Sequence, residues 1–291
     1  MPADSSCVGQ TLPPVHVPCD ARWLMSYAAG IGVTANEHFD TTRPGGVVAH
    51  PMFPVAPEWV LITSPTLRFD MGMTRDETAR GVHARHDLHL HRVVRQGDIA
   101  IITGSIIGVE RTPPGARVTV RFVATDETDE PLWTTRMTLL HLGVEVGGAD
   151  VPPPVADMVA PAEVAGGEPT LVVRDIAAGA AHVYTECARI YNPIHTDRAY
   201  AQQAGLPDIM LHGTATLAHA VQAVLDAHDV GPASVARLGG SFRAMVPMPS
   251  RLHILLQQPV EHSSGRVVHF EVQVAAGGAT AIRDGFVVLR D

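Results

Sequence analysis

The chain has 291 residues, 46% apolar and 18% charged, enough for a packed core in one large domain or in two of about 145 residues, and unlike a disordered polypeptide. A formal net charge of −9 argues against a nucleic-acid partner, which needs a basic face. No apolar run approaches the roughly 20 residues of a membrane span, and Met1–Gln10 lacks the basic start and apolar run of a secretory signal, so a cytoplasmic protein without a membrane partner is expected.

Met1–Pro18, with scattered Pro and Ser, is expected to be an extended lead-in. Asp20 can cap a helix through its carboxylate. Leu24, Tyr27, Ala28 and Ile31 follow at the i, i+3, i+4, i+7 spacing of one buried face, and Gly30 and Gly32 end it. Thr34–Val48 reads as a polar loop around Pro44-Gly45-Gly46. The stretch from Ala49 through His50, Phe53 and Val55 to Ile62 is apolar, but Pro51, Pro54 and Pro57 make any helix there short or late. From His86 the period changes to two. Strands are expected over His86–Val94 and Asp98–Glu110, then over Arg117–Thr125 and Leu132–Leu142 about the acidic turn Asp126–Glu130. Gly143–Gly167, with Pro152-Pro153-Pro154 between glycine pairs, is the clearest linker. Beyond it, strands are expected over Thr170–Arg174 and His182–Ala188. A helix over Gly213–Ala227 carries Leu217, Val221, Val224 and Leu225 on one face. Strands follow again over Ser234–Val246, Arg251–Gln258, Arg266–Ala276 and Ala279–Leu289.

The two parts repeat. Arg117-Val118 opens a strand, a turn and a closing strand ending in Leu139-Leu140, and Arg266-Val267 opens the same sequence of elements, ending in Val287-Val288-Leu289. Helix first and four strands after suits an antiparallel sheet wrapped around a helix, an α+β arrangement. The expected division is a first half at 1–145, a linker at 146–168 and a second half at 169–291.

The chain is organised around Tyr184–Gly213. It contains Asn192-Pro193-Ile194-His195-Thr196-Asp197, then an Ala-rich segment broken at Gly205-Leu206-Pro207, then His212-Gly213 opening the long helix. Two histidines thus fall at backbone corners, where side chains can reach a cleft. This pattern resembles the MaoC-like, (R)-specific enoyl-CoA hydratase family, whose segment reads roughly Y-x-x-x-S-G-D-x-N-P-I-H-x-D, then A-x-x-x-G, then I-x-H-G. The resemblance implies a double hot-dog fold with a degenerate, substrate-accommodating first half. It implies a lyase acting on a thioester of CoA or an acyl carrier protein, with no metal or redox cofactor, and a homodimer. It makes His195 the catalytic acid/base and Asn192 its support. It makes Gly213 the N–H donor to the thioester oxygen at the positive end of the helix, with His212 before it. Asp197 matches a carboxylate expected to be structural, and Tyr191 occupies a variable position that lines the cleft or packs.

One position departs. The family's S-G-D falls on Ala188-Arg189-Ile190, so its catalytic aspartate is Ile190 here, which can neither take a proton nor orient water. Three readings stay open. The first is a hydratase or dehydratase using His195 alone or with a substituted acid, the candidates being Glu186, Asp197 and Asp208. The second is a His-only enzyme that isomerises a double bond, expels another group or closes a ring by intramolecular oxa-Michael addition. The third is a non-catalytic acyl-binding partner subunit.

Other features have plainer readings. All 21 basic residues are arginine, which excludes a Schiff-base or phosphate-loop lysine. Cys7, Cys19 and Cys187 are too few for a disulfide framework or a Cys-based zinc site, and Cys187 is expected to be a small buried side chain. His83, His86, His89 and His91 are read as a solvated strand face in preference to a metal site. Arg243 and Arg251 are candidates for CoA phosphates or for ordinary surface roles.

Overall fold

The computed structural model describes residues 2–64, 69–154, 166–262 and 265–290. The first half contains β1 (Ala3–Asp4), β2 (Val15–Pro18), α1 (Ala21–Gly30), α2 (Val55–Thr63), α3 (Arg75–Ala79), β3 (Gly81–Leu90), β4 (Ile99–Thr112), β5 (Gly115–Thr125), β6 (Pro131–Leu142) and β7 (Val146–Gly147). The second half contains β8 (Thr170–Ile176), α4 (Ala180–Ala188), α5 (Arg198–Gln203), β9 (Met210–Leu211), α6 (Gly213–His228), β10 (Val235–Phe242), β11 (Val246–Pro247), β12 (Ser250–Leu256), β13 (Val260–His262), β14 (Gly265–Val274) and β15 (Thr280–Leu289). Part of the expected linker, 155–165, lies outside the described residues. Within that linker Val146–Gly147 pairs with Ala3–Asp4, and Val151 bridges to Val109.

One sheet runs in the order β2-β4-β5-β6-β3-β10-β15-β14-β12-β8, with β13 beside β14. The order is a mirror about its centre. The edge strand of each half precedes its helices in sequence. The three long strands follow, and β3 meets β10 antiparallel where the halves join. This is an α+β double hot-dog. Across the seam Asp87 of β3 accepts two hydrogen bonds from Arg237 of β10, at 2.7 and 2.5 Å. Asp87 is only 3% exposed, so the pair is shielded, and removing one partner would leave the other charge stranded.

Each half holds its helix against the sheet for reasons visible in its residues. In α6 the alanines 215, 218, 220 and 223 favour the helix and let the backbone come close, while Leu217, Val221, Val224 and Leu225 are buried against the strands. Each such side chain contributes about 1.5–3 kcal/mol by leaving water. α1 begins where expected: Asp20 accepts the Trp23 N–H at 2.9 Å. α2 starts at Val55, directly after Pro54, and runs nine residues.

The strand expected at His182–Ala188 is instead helix α4. Its residues fit both periods, but Ala181, Tyr184, Thr185 and Ala188, at i, i+3, i+4 and i+7, are the buried ones. That face packs against α1, where Gly30 has no room for a side chain: a Cβ there would sit 2.7 Å from Cys187 Cβ.

Candidate active site

Helix α4 stops at Arg189, which adopts the left-handed conformation (φ 59°, ψ 34°) and donates its N–H to the Thr185 carbonyl. A glycine fits this position in the hydratase pattern, since a side chain there costs about 1–2 kcal/mol. The turn directs Ile190 inward, 3% exposed, and Tyr191 outward, 57% exposed. Asn192 then caps the 3-10 turn Pro193–His195, its side-chain oxygen accepting the Ile194 N–H at 3.4 Å.

His195 closes that turn. Its Nδ1 lies 2.8 Å from the Met210 carbonyl oxygen, which can only accept, so Nδ1 carries the proton and Nε2 keeps its lone pair. Burial pushes the His195 pKa down to about 4, against the opposing pull of that carbonyl, so the ring is neutral at pH 7. His212 stacks on it, with ring centroids 3.7 Å apart at 27°. The His212 Nε2 lies 3.2 Å from the buried Thr185 hydroxyl. Burial, and then the proximity of His195, drive its pKa down to about 2. His212 is also the residue before α6, and no side chain caps that helix start. The first-turn N–H groups, beginning with Gly213, therefore have no capping side chain at the positive end of a 16-residue helix. Gly213 has a packing reason as well: a Cβ would meet the Phe242 ring at 3.1 Å.

The rings continue inward. Tyr184 lies 4.9 Å from His212, centroid to centroid, and 5.7 Å from Tyr27 of the first half. Its hydroxyl is 3.1 Å from the Tyr27 hydroxyl and 3.2 Å from Thr214 Oγ1. Tyr27 donates to the Met52 carbonyl at 3.0 Å and stacks toward His50, which adjoins His38. His38 ends a 3-10 turn, Asn36–His38, with Nδ1 2.8 Å from the Val48 carbonyl, and His50 follows two residues after Val48. His195, Met210 and His212 repeat that arrangement. The first half thus carries a copy of the histidine pair that its sequence conceals.

The three carboxylates considered as substitutes are occupied or turned away. Glu186 is exposed on α4. Asp197 caps α5 by accepting the Tyr200 N–H at 3.1 Å. Asp208 pairs with Arg198 at 2.9 Å and accepts the Ile209 N–H.

A cleft of about 570 Å³ opens on the Arg189–Tyr191 segment. Its other wall comes from the first half, chiefly Trp23 of α1 and Trp59, Val60 and Thr63 of α2. Sequence reasoning missed these first-half residues. The one available signal was an arginine at the glycine position of the motif. Of the remaining candidates, Arg251 pairs with Asp175 at 2.7 Å and Arg243 is exposed. Cys187 is partly buried at the α1–α4 crossing. His86 corrects the solvated-face reading: it points into the core and is fully buried. Among the described residues no cluster of three metal-ligating side chains occurs, and no helix is long and apolar enough to cross a membrane.

Residues 173–278 match the family model of the MaoC like domain. No curated protein matches the chain. Several solved structures do. A MaoC-like dehydratase from Phytophthora capsici superposes with a TM-score of 0.83 at 18% identity, over 98% of both chains. The peroxisomal multifunctional enzyme type 2 of Drosophila melanogaster gives 0.77 at 22% identity, over 96% of this chain and 48% of that longer one. A Mycobacterium tuberculosis protein with a double hotdog fold gives 0.62 at 17%, over 97% and 96%. At such identities the likeness is one of fold.

Proposed function

We propose that this double hot-dog chain, with a MaoC-like domain in its second half, interconverts 2-enoyl and 3-hydroxyacyl thioesters of CoA or an acyl carrier protein, with His195 as both acid and base. The observation that carries the reading is the tautomer of His195, whose free Nε2 belongs to a neutral ring near an uncapped helix start. In the dehydrating direction Nε2 takes the proton from the carbon next to the thioester carbonyl. The negative charge that grows on the carbonyl oxygen is met by the Gly213 N–H and the helix dipole. The imidazolium so formed is a strong acid, since the buried ring favours its neutral form, and it returns the proton to the departing hydroxyl, which leaves as water. Hydration is the reverse. One residue serving both steps requires proton and hydroxyl on the same face of the substrate.

Ile190 favours a second reading. It is packed in the core at the position of the family's carboxylate, while Asp197 caps α5 and Asp208 pairs with Arg198. The same neutral histidine then moves a proton between carbons, shifting the double bond, or helps a substrate hydroxyl add and close a ring. The two readings separate by mass. When 2-enoyl thioesters are offered, hydration adds one water to the product, whereas isomerisation or ring closure leaves the mass unchanged. Loss of both activities in His195→Ala assigns the step to this site. An unchanged rate in that variant contradicts it.

A further inference from the structure

The cleft beside Arg189 and Tyr191, whose lining includes neither His195 nor Gly213, has largely apolar walls and a charge among them. Val17, Pro18, Trp23, Ala56, Trp59 and Val60 supply apolar wall, and among the described residues none that lines it is a carboxylate. Among the described residues its one cation is Arg189. The guanidinium carbon lies 4.3 Å over the Trp23 ring, a cation–π contact, and the side chain is still 45% exposed. The nearest carboxylate is Asp20 at 3.8 Å, beyond hydrogen-bond length, with both side chains about half exposed at 45% and 49%. Asp20 is already engaged through its other oxygen in capping α1. Arg189 makes no side-chain hydrogen bond among the described residues. By contrast Arg92, Arg117 and Arg237 each grip a carboxylate through two nitrogens. Arg189 also holds a backbone conformation that glycine adopts more readily. A cation stacked on an indole, at the mouth of an apolar cleft and without a firm partner, is placed to read an anion.

Building on the function proposed above, we infer that this cleft takes the acyl chain of the thioester and that Arg189 recognises a carboxylate carried by that acyl group. A single guanidinium matches a single carboxylate in a two-pronged pair. The phosphates of a nucleotide carrier bear several charges. Among the described residues they would meet one cation with Asp20 close by, on a protein of net charge −9. The substrate class is therefore a carboxyl-bearing acyl thioester, such as the monothioester of a dicarboxylic acid.

The test compares wild type with Arg189→Gly, a variant that removes the guanidinium and suits the left-handed backbone. Saturated acyl-CoA and ω-carboxyacyl-CoA of equal length are titrated calorimetrically, and the corresponding 2-enoyl thioesters are assayed, both as CoA esters and as phosphate-free N-acetylcysteamine esters. Wild type is expected to bind the carboxylated chain about 10- to 100-fold more tightly than the neutral one. Arg189→Gly is expected to lose that preference, so that the two chains bind alike. Equal affinities in wild type overturn the inference. So does an Arg189→Gly loss that is the same for both acyl groups and vanishes with the N-acetylcysteamine esters, which would assign the arginine to carrier phosphate. Binding preference without turnover of either ester leaves the inference standing and removes the proposed reaction instead.

Discussion

The two histidine pairs share a frame and differ in everything that chemistry needs. His38 and His195 each end a 3-10 turn and each bond through Nδ1 to a carbonyl at 2.8 Å, two residues before the second histidine. Around the first pair the protein has closed. His38 and His50 are 1% and 0% exposed, and their rings stand 6.2 Å apart and tilted at 42°. Around the second pair His195 stays partly open and stacks on His212 at 3.7 Å. The next residue differs as well. Pro51 follows His50 and has no N–H to offer, whereas Gly213 follows His212. Pro54 further delays α2 to Val55, so no helix begins at the first pair. The two turns share an architecture, and only the second stays partly open and is followed by a residue with a backbone N–H. The first half has instead contributed cleft wall through Trp23, Trp59 and Val60.

That contrast can be broken from either side. His195→Ala is expected to lower turnover about 10²- to 10⁴-fold, the range for losing a general acid–base group. His38→Ala should leave kcat/KM within about twofold while lowering stability by about 1–3 kcal/mol, because it removes a buried hydrogen bond to Val48. Thioester turnover and urea denaturation measure the two. If His38→Ala proves as inactive as His195→Ala, the pairs are not different in kind.

Gly213→Pro copies the first half into the second. The extended backbone of His212 (φ −60°, ψ 136°) tolerates a following proline, and proline is well suited to a first helical position. Loss of the donor is expected to reduce kcat about 10²- to 10³-fold. Gly213→Ala serves as the control, since it keeps the N–H but makes the same approach to Phe242. Equal activity of the two variants would remove this N–H from the mechanism.

Acid should act on both pairs at once. The pKa of His195 is lowered to about 4 and of His212 to about 2, that of His50 falls well below its ordinary value and that of His38 is lowered, in each case chiefly by burial. A lowered pKa means that the unfolded chain binds more protons than the folded one. The stability is therefore complete above about pH 6.5, the ordinary histidine value, and is lost as pH falls from there through 4 toward 2. Denaturation midpoints at pH 7, 5.5 and 4.5 should decrease steadily. A midpoint that holds constant from 7 to 4.5 would show that these rings accept protons without unfolding. In kcat/KM the acid limb should lie near pH 4, where His195 titrates, and not near 6.5.

A further effect, on stability more than on activity, is expected at the contact between the halves. Gly30→Ala places a Cβ against Cys187 and should cost about 1–3 kcal/mol by forcing α1 and α4 apart. Its effect on activity should stay modest, as neither histidine pair is touched directly. Thermal unfolding with a parallel activity assay checks both statements.

Much of this was legible in the residues. Asp20 with Leu24, Tyr27 and Ala28 defines α1, the Ala-rich run after Gly213 defines α6, and the alternating strands from His86 and from Arg266 place the two sheet halves. His182–Ala188 was misread because seven residues can satisfy a period of two and of 3.6 together, and packing against α1 decides between them. The first histidine pair stayed hidden for a different reason. Its turn reads Asn36-Glu37-His38, without the Asn-Pro signature, and its histidines are 12 residues apart in place of 17, since α5 is inserted only in the second half. Arg189 and its cleft depend on chain segments about 130 to 170 residues apart, which local pattern does not bring together.

The most direct measurement is a mass-resolved assay of wild type and His195→Ala on 2-enoyl- and 3-hydroxyacyl-CoA. The account predicts that wild type interconverts them with gain or loss of one water and that His195→Ala does so at least about 100-fold more slowly. A wild-type protein that leaves both thioesters untouched, or a His195→Ala variant that matches it, would contradict the assignment of His195 as the working histidine of a hydratase.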